Sequence, residues 1–347
     1  MAPDSLAVEL IAVILAVLAV VTTALTWDLG RGPRQAAVRA ASAVLCVLTT
    51  AATALVWVDR QVETYTSWSD LAGTPQTVTA AAPEPERGPA ATRGHGRIVA
   101  VNVAGRASAM TAPLFVYLPA AYDRQPKTRF PVIEALHGFP GSPLTWLHRL
   151  DMAAYLDREI AAGRMAPTVV LLPYQTPDPL RDTECTDLVG GPHAETFLTV
   201  DVPAAARAHL RIRTDRAAWG LIGYSAGGYC AMNLMLRHPT QYAAAASLSG
   251  YSDPGITIGD GTEHTLNNDA WRLQHLPVPA VALYLACART DATAMRDTAS
   301  LARLAHAPAS TTTAFVGTGG HNDATWRAME PPALDWISSW LAGPQPS

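Results

Sequence analysis

A serine hydroxyl becomes a useful nucleophile only when a base takes its proton, an acid orients that base, and fixed dipoles receive the charge developing on the substrate. The chain offers candidates for each part. Ser225 ends the apolar run Ala218-Trp219-Gly220-Leu221-Ile222-Gly223-Tyr224 and is followed by Ala226-Gly227-Gly228. Gly223 and Gly227 complete a G-x-S-x-G pattern, in which the glycines let a strand and a helix approach closely while the serine takes a sharp, strained turn. The helix expected from Ala226 to about His238 aims its unpaired N–H groups and positive dipole end at that hydroxyl.

The first candidate for the base is His321, in the glycine-rich stretch Gly317-Thr318-Gly319-Gly320-His321-Asn322-Asp323 between the last predicted strand and the last predicted helix. Capping that helix is its alternative role, although Asn322 or Asp323 could cap instead. Asp291 follows the predicted strand around Val281 to Ala286 and is the first candidate for the orienting acid, with Asp297 as its rival. The resulting order, Ser225, Asp291, His321, is that of α/β-hydrolases and not of other serine hydrolase folds. For the anion hole, one donor is the N–H of Ala226. The second is expected from Leu136-His137-Gly138-Phe139-Pro140-Gly141-Ser142, where Phe139 can donate and Pro140 cannot.

These residues need a scaffold, and the pattern of the chain supplies one. Short β-rich runs at Ile98–Val103, Leu114–Leu118, Phe130–Leu136, Thr168–Leu172, Ala217–Ile222, Ala243–Leu248, Val278–Ala286 and Thr312–Val316 are bounded by turn residues. From the third run onward they alternate with helix-compatible stretches: Asp151–Ala162, Val202–Leu210, Ala226–Arg237, Ala292–Ala305 and Asp323–Leu341. That alternation predicts a mostly parallel sheet with helices on both faces, with the site beyond the carboxyl ends of the strands.

The residues also carry a family resemblance. Phe130 to Gly138, the elbow with Gly228-Tyr229-Cys230-Ala231-Met232, Arg237-His238-Pro239 through Ser247-Leu248-Ser249-Gly250, and Gly320-His321 followed by Trp326 together resemble the esterase D-like family of α/β-hydrolases. That family includes feruloyl and enterochelin esterases and the mycolyltransferases of the mycobacterial cell envelope. The resemblance spans about Arg97 to Leu341. It implies an α/β-hydrolase fold, Ser225 as nucleophile, Asp291 as acid, His321 as base, and Phe139 and Ala226 at the anion hole. The chain departs from the mycolyltransferases at His137 and Pro140, where those enzymes carry an aspartate and an arginine that help hold a sugar acceptor. The departures speak against trehalose recognition.

The first part of the chain is different in kind. Leu6 to Leu25 contains one charge, Glu9, and Ala40 to Val58 contains none, so each is about as long as the ~20 apolar residues that cross a bilayer. Trp27 and Trp57 sit at their ends, where indoles favour the headgroup level. A cleaved signal peptide fits poorly, because the leading residues carry Asp4 and Glu9 with no Lys or Arg, and a second span follows. Arg31, Arg34 and Arg39 between the runs place that loop in the cytoplasm and both flanks outside. The expected organisation is two transmembrane helices in residues 1–59, a Pro/Ala-rich linker in 60–96, and an extracytoplasmic hydrolase domain in 97–347.

Composition excludes other classes. In 347 residues, 49% hydrophobic content supports a large core, and a formal net charge of -4 without a basic block argues against a nucleic-acid partner. Cys46, Cys185, Cys230 and Cys287 have no metal-site spacing, so neither metal nor cofactor is expected. Cys185 and Cys230 are the preferred disulfide, because Cys230 lies just beyond Ser225 and a bridge would pin the 178–193 loop beside the site; free, buried thiols are the alternative. In that loop Asp178, Asp182, Glu184 and Asp187 read as a solvated segment or as a wall that hydrogen-bonds a hydroxyl-rich or cationic alcohol. His137, Tyr224 and Asp187 are the candidate substrate contacts, and His193 could reach the site mouth. The expected activity is hydrolysis of a small-molecule or lipid ester. Acyl transfer to envelope lipids or glycans and non-catalytic envelope binding are the alternatives.

Overall fold

The computed structural model describes residues 5–62, apart from 29 and 31, and 94–346, apart from 179 and 318. The linker expected at 60–96 lies almost wholly outside the described residues, as does Arg31 of the basic loop. The chain divides into two compact units, one holding the two N-terminal helices and one holding the sheet.

In the first unit, α1 (Leu6–Thr26) and α2 (Pro33–Val62) are long and apolar enough to cross a bilayer by length and composition. Ser5 caps α1 by accepting from the Val8 N–H. Where the helices meet, Gln35 donates to the carbonyl of Thr26 at 2.8 Å, and the Arg39 guanidinium donates to the carbonyl of Trp27 at 2.8 Å while lying over the Trp27 ring. These bonds satisfy carbonyls at the end of α1 that have no partner within the helix. Leucines and valines remain exposed along both helices, with Ile11 and Ile14 on the first.

The second unit is an eight-stranded sheet. Its strands are β1 (Arg97–Ala104), β2 (Thr111–Leu118), β3 (Val132–Leu136), β4 (Val169–Pro173), β5 (Trp219–Tyr224), β6 (Ala244–Leu248), β7 (Ala282–Ala288) and β8 (Ser310–Val316). They lie in the order β1-β2-β4-β3-β5-β6-β7-β8. β2 pairs antiparallel with both β1 and β4, and every other neighbouring pair is parallel. Each residue of β3, β4, β5, β6 and β7 is buried, as in a parallel sheet covered on both faces.

The covering helices are α3 (Met152–Ala161), α4 (Val202–His209), α5 (Ala226–Arg237), α6 (Asp269–His275), α7 (Ala292–Leu304) and α8 (Asp323–Trp340). Strand alternation sends Val132, Leu221, Ala245 and Leu283 into one core with Tyr229, Met232 and Leu301. Ile133, Ile222, Ala246 and Tyr284 enter the other with Leu156, Trp326 and Ile337. This is the α/β-hydrolase fold with two apolar helices before it.

Several elements differ from the sequence reading for local reasons. β5 runs to Tyr224, two residues beyond the β-rich run expected at Ala217–Ile222, because Gly223 and Tyr224 still pair with Ser247 and Leu248 of β6. α6 was not expected, since Tyr251 to Asn268 is polar and turn-rich; it starts where the Asn268 side chain accepts from the Trp271 N–H. A π-helical turn, Phe197–Asp201, leads into α4.

Candidate active site

Four strand ends meet at one edge of the sheet. After β5, Ser225 has φ 55° and ψ −123°, outside the regions that an L-residue adopts without strain. Two features hold it there. Its N–H donates to the carbonyl of Leu248, extending the pairing of β5 with β6 past the strand end, and its own carbonyl accepts from Gly228 and Tyr229 in the first turn of α5. The glycines are required by space: a Cβ on Gly223 would lie 1.9 Å from the carbonyl oxygen of Gly227, and one on Gly227 would lie 2.2 Å from that of Leu136. Strand and helix touch backbone to backbone, which lifts the serine out of the sheet.

The loop after β8 brings His321 to the hydroxyl, with Ser225 Oγ 2.7 Å from His321 Nε2. The loop after β7 supplies Asp291, whose Oδ2 lies 2.9 Å from His321 Nδ1. The carboxylate also caps α7, accepting from the Ala294 N–H at 3.1 Å. Asp297, the rival acid, lies within α7 and accepts from the backbone of Ser252. His321 does not cap α8, because Asn322 takes that role through the Thr325 N–H. Ser225, His321 and Asp291 thus form a continuous hydrogen-bonded row.

Part of what positions this row was not found in the sequence. Thr290 Oγ1 accepts from the Gly319 N–H at 3.0 Å and donates to the Gly319 carbonyl, tying the loop of Asp291 to the loop of His321. Thr325 Oγ1 accepts from the Gly320 N–H at 3.0 Å. Trp326 meets the imidazole of His321 edge to face at 5.1 Å and packs on Tyr224 at 4.6 Å, and Tyr224 rests against Trp146 at 5.1 Å. Only the resemblance had singled out Trp326; threonines carry no signal that sets them apart from other loop threonines.

A narrow cleft beside the serine is lined by Phe139 and Ala226, the two residues expected to supply anion-hole N–H groups. Gly138 lets the Phe139 segment come this close, since a Cβ there would lie 3.2 Å from the Cβ of Ser225. No described residue accepts from the backbone N–H of Phe139 or Ala226. The arrangement can transfer a proton from Ser225 to His321 and can direct two N–H groups at a developing oxyanion.

The residues expected to touch substrate fall in different places. His137 lines the cleft, but both ring nitrogens are engaged: Nδ1 donates to the carbonyl of Gly138 at 2.7 Å and Nε2 accepts from the Gln175 N–H at 3.4 Å. Burial pushes its pKa down to about 4, so it is a neutral brace between two loops. Tyr224 is buried between the two tryptophans. Asp187 does not line the cleft; it accepts from the N–H and hydroxyl of Thr196 at 3.0 and 2.5 Å. Those bonds fasten the turn that opens α4's leading segment. Asp178 likewise closes a local turn by accepting from the Leu180 N–H. Asp182 and Glu184 are the members of the acidic loop that face the cleft, and His193 is exposed outside it.

Cys185 is joined to Cys230 of α5, the Sγ atoms 2.04 Å apart, while Cys287 is a buried free thiol and Cys46 lies on α2. Gln175 donates to both bridged sulfurs, at 3.2 and 3.4 Å. Among the described residues no cluster of His, Cys, Asp and Glu could hold a metal ion.

Fold and site together define an α/β-hydrolase of the serine hydrolase class. Residues 109–338 match the family described as "Putative esterase", and the chain belongs to that family. An uncharacterized protein of Corynebacterium glutamicum is 24% identical over 265 residues, which are 70% of this chain; the chain covers 62% of that relative's length. Among solved structures, a ferulic acid esterase superposes with a TM-score of 0.63 at 18% identity, covering 71% of this chain and 99% of its own. An S-formylglutathione hydrolase of Agrobacterium tumefaciens gives 0.60 at 13% identity, covering 73% and 98%. A fluorophosphonate-binding serine hydrolase of Staphylococcus aureus gives 0.56 at 17% identity, covering 71% and 99%. At such identities the structures speak for the fold.

Proposed function

We propose that the chain is a membrane-tethered esterase that cleaves a carboxylic ester through an acyl-enzyme, with its sheet domain on the extracytoplasmic side. The observation that carries the chemistry is the row Ser225 Oγ, His321 Nε2, Nδ1, Asp291 Oδ2, at 2.7 and 2.9 Å. His321 takes the proton of Ser225 as its oxygen attacks the ester carbonyl, and the N–H groups of Phe139 and Ala226 receive the oxyanion. His321 then gives the proton to the departing alcohol. A water then loses a proton to the same imidazole as its oxygen attacks the acyl carbon, and the imidazolium returns that proton to Ser225 Oγ as the serine–acyl bond breaks and the acid leaves. Asp291 holds the imidazolium in place.

The tether is supported by the exposure of α1 and α2. A core helix of a water-soluble protein buries an apolar stripe, whereas these helices leave apolar side chains exposed along their length. A bilayer is the solvent that suits such a surface, and both helices satisfy their backbone internally.

The test is fluorophosphonate labelling of the full chain in detergent micelles. Labelling of wild type, absent in folded Ser225→Ala and His321→Ala, is the expected result. A well-folded wild type that takes no label would defeat the proposal in favour of a binding module. Product analysis with added alcohols then reads whether water or an acceptor hydroxyl resolves the acyl-enzyme.

A further inference from the structure

The amino ends of the parallel strands, opposite the ends that carry Ser225, are rich in positive charge. Segments 120–130 and 207–218 meet there, the first running from β2 into β3 and the second leading into β5. They carry three and four Arg or Lys respectively, against one aspartate each. Arg211 joins them by donating to the carbonyls of Gln125, at 3.0 Å, and Tyr122 while its guanidinium lies over the Tyr122 ring. Arg129 donates back to the carbonyl of Ile212 at 3.3 Å. Far apart in sequence, the two segments make a basic surface only once the fold brings them together.

Most of this charge is uncompensated. Asp123 and Asp215 are taken by Arg97 at 3.1 Å and Arg213 at 2.9 Å. Among the described residues, Arg124, Arg129, Arg207, Arg211 and Arg216 have no carboxylate within salt-bridge distance. Arg207 lies over the ring of Trp219, the first residue of β5, and Arg216 donates to the carbonyls of Pro239, Tyr242 and Ala280 ahead of β6 and β7. Carbonyls and rings hold a guanidinium in place, but they cancel none of its net charge. Arg124, Arg129 and Arg207 are exposed.

Two further features share this side. Trp340, 45% exposed, ends α8, and the residues after it are fastened here: the Ala342 N–H donates to the carbonyl of Ala217, and Arg213 donates to that of Gly343, each at 2.7 Å. β1 also begins here, Arg97 facing Leu118 across the ladder, so the chain that comes from α2 reaches the sheet at its basic side. An exposed indole among arginines suits the headgroup level of a bilayer, where anionic phosphates attract cations. A soluble polyanion accounts for the arginines and not for the chain arriving beside them.

Resting on the tether proposed above, we infer that this basic side docks on the anionic headgroups of the bilayer that holds the chain. β5 is six residues long, so Ser225 at its far end lies about 20 Å from the docked side. The nucleophile then opens away from the membrane and takes esters presented from the outer side.

Modification of arginines by phenylglyoxal, read residue by residue by mass spectrometry on the full chain in nanodiscs, tests this. The discs are phosphatidylcholine alone or with about 30% phosphatidylglycerol. The expected result is modification of Arg124, Arg129 and Arg207 at least about threefold slower in the anionic discs, recovering in about 0.5 M salt. Arg181 and Arg296, exposed in the loop of Asp182 and in α7 after Asp291, should react alike in both. Arg124→Gln combined with Arg207→Gln, both surface changes, should bring Arg129 in anionic discs to within about twofold of its rate in neutral ones. Equal rates for the wild type in the two discs overturn the inference, as does slowing of Arg181 and Arg296 in place of the basic set. Slowing that appears only when soluble polyphosphate is added overturns it in favour of an anionic polymer. A chain that does not enter nanodiscs removes the tether and the inference together, while fluorophosphonate labelling reads the serine assignment separately.

Discussion

Asp291 has two duties that substitutions can separate. It faces His321 Nδ1 and it caps α7. Asparagine caps a helix about as well as aspartate but cannot hold an imidazolium by charge, whereas alanine does neither. Asp291→Asn is therefore expected to lower kcat by about a thousandfold or more with a nearly unchanged melting temperature. Asp291→Ala loses as much activity and about 1 kcal/mol of stability besides. Active-site-titrated kinetics and a thermal melt on each variant check the separation, and equal melting temperatures would show that the cap contributes nothing. Thr290 makes a subtler point, because it touches neither serine nor histidine. Thr290→Val removes both of its bonds to Gly319 at similar volume. It is expected to reduce kcat about tenfold while leaving KM nearly unchanged, since it loosens the loop that carries the base and not the cleft.

At the scale of elements, the disulfide joins a loop to a helix across 45 residues of sequence. Closing a loop of that length restricts the unfolded chain by about 4 kcal/mol in the chain-entropy account. Replacing both cysteines by serine is expected to lower the melting temperature by roughly 10 °C, and reduction by dithiothreitol should lower the wild type towards the same value. Coincidence of the reduced wild type with the double variant is the check. The elbow is less forgiving. Gly223→Ala would set a methyl 1.9 Å from the backbone carbonyl oxygen of Gly227, so β5 and α5 could not both keep their places. No soluble, labelled protein is expected from that variant.

The whole molecule answers to pH through a buried glutamate of the sheet. Glu134 lies in the middle of β3, fully buried, with Oε2 accepting from the Tyr242 hydroxyl at 3.3 Å and Oε1 unpartnered. Burial pushes its pKa up to about 8 from an ordinary 4.5. Between those values the folded protein keeps a proton that the unfolded chain releases, so Glu134's contribution to stability is full below about 4.5 and is lost as pH rises through about 8. Glu134→Gln is expected to flatten this part of the stability curve, with the variant melting several degrees above wild type at pH 8.5 and close to it at pH 5. Parallel melts across that range would expose a flat wild-type curve, which would contradict the assignment. The tether makes its own prediction at this scale: full-length chain should stay in the membrane pellet through carbonate extraction, and a chain lacking residues 1–62 should not.

The parts of this protein legible in its sequence are those whose reasons are local. A serine flanked by glycines at 223 and 227 has few other uses for that spacing, a histidine in a glycine-rich loop ahead of a helix is conspicuous, and alternating apolar runs imply a covered parallel sheet. Two charge-poor runs announce long apolar helices by composition alone. What the tertiary structure decided is contact between residues distant in sequence. Asp182, Glu184 and Asp187 look equivalent in the chain, and only the fold turns the first two into the cleft while fastening Asp187 to Thr196. His137 reads as a substrate contact until the loop carrying Gln175 arrives and occupies its second nitrogen. Thr290 is an ordinary threonine until Gly319, 29 residues on, comes within hydrogen-bonding distance. Sequence records which groups a segment carries, but which of them stay unpaired and face a substrate depends on neighbours brought in by strand order, and that order is a property of the folded chain.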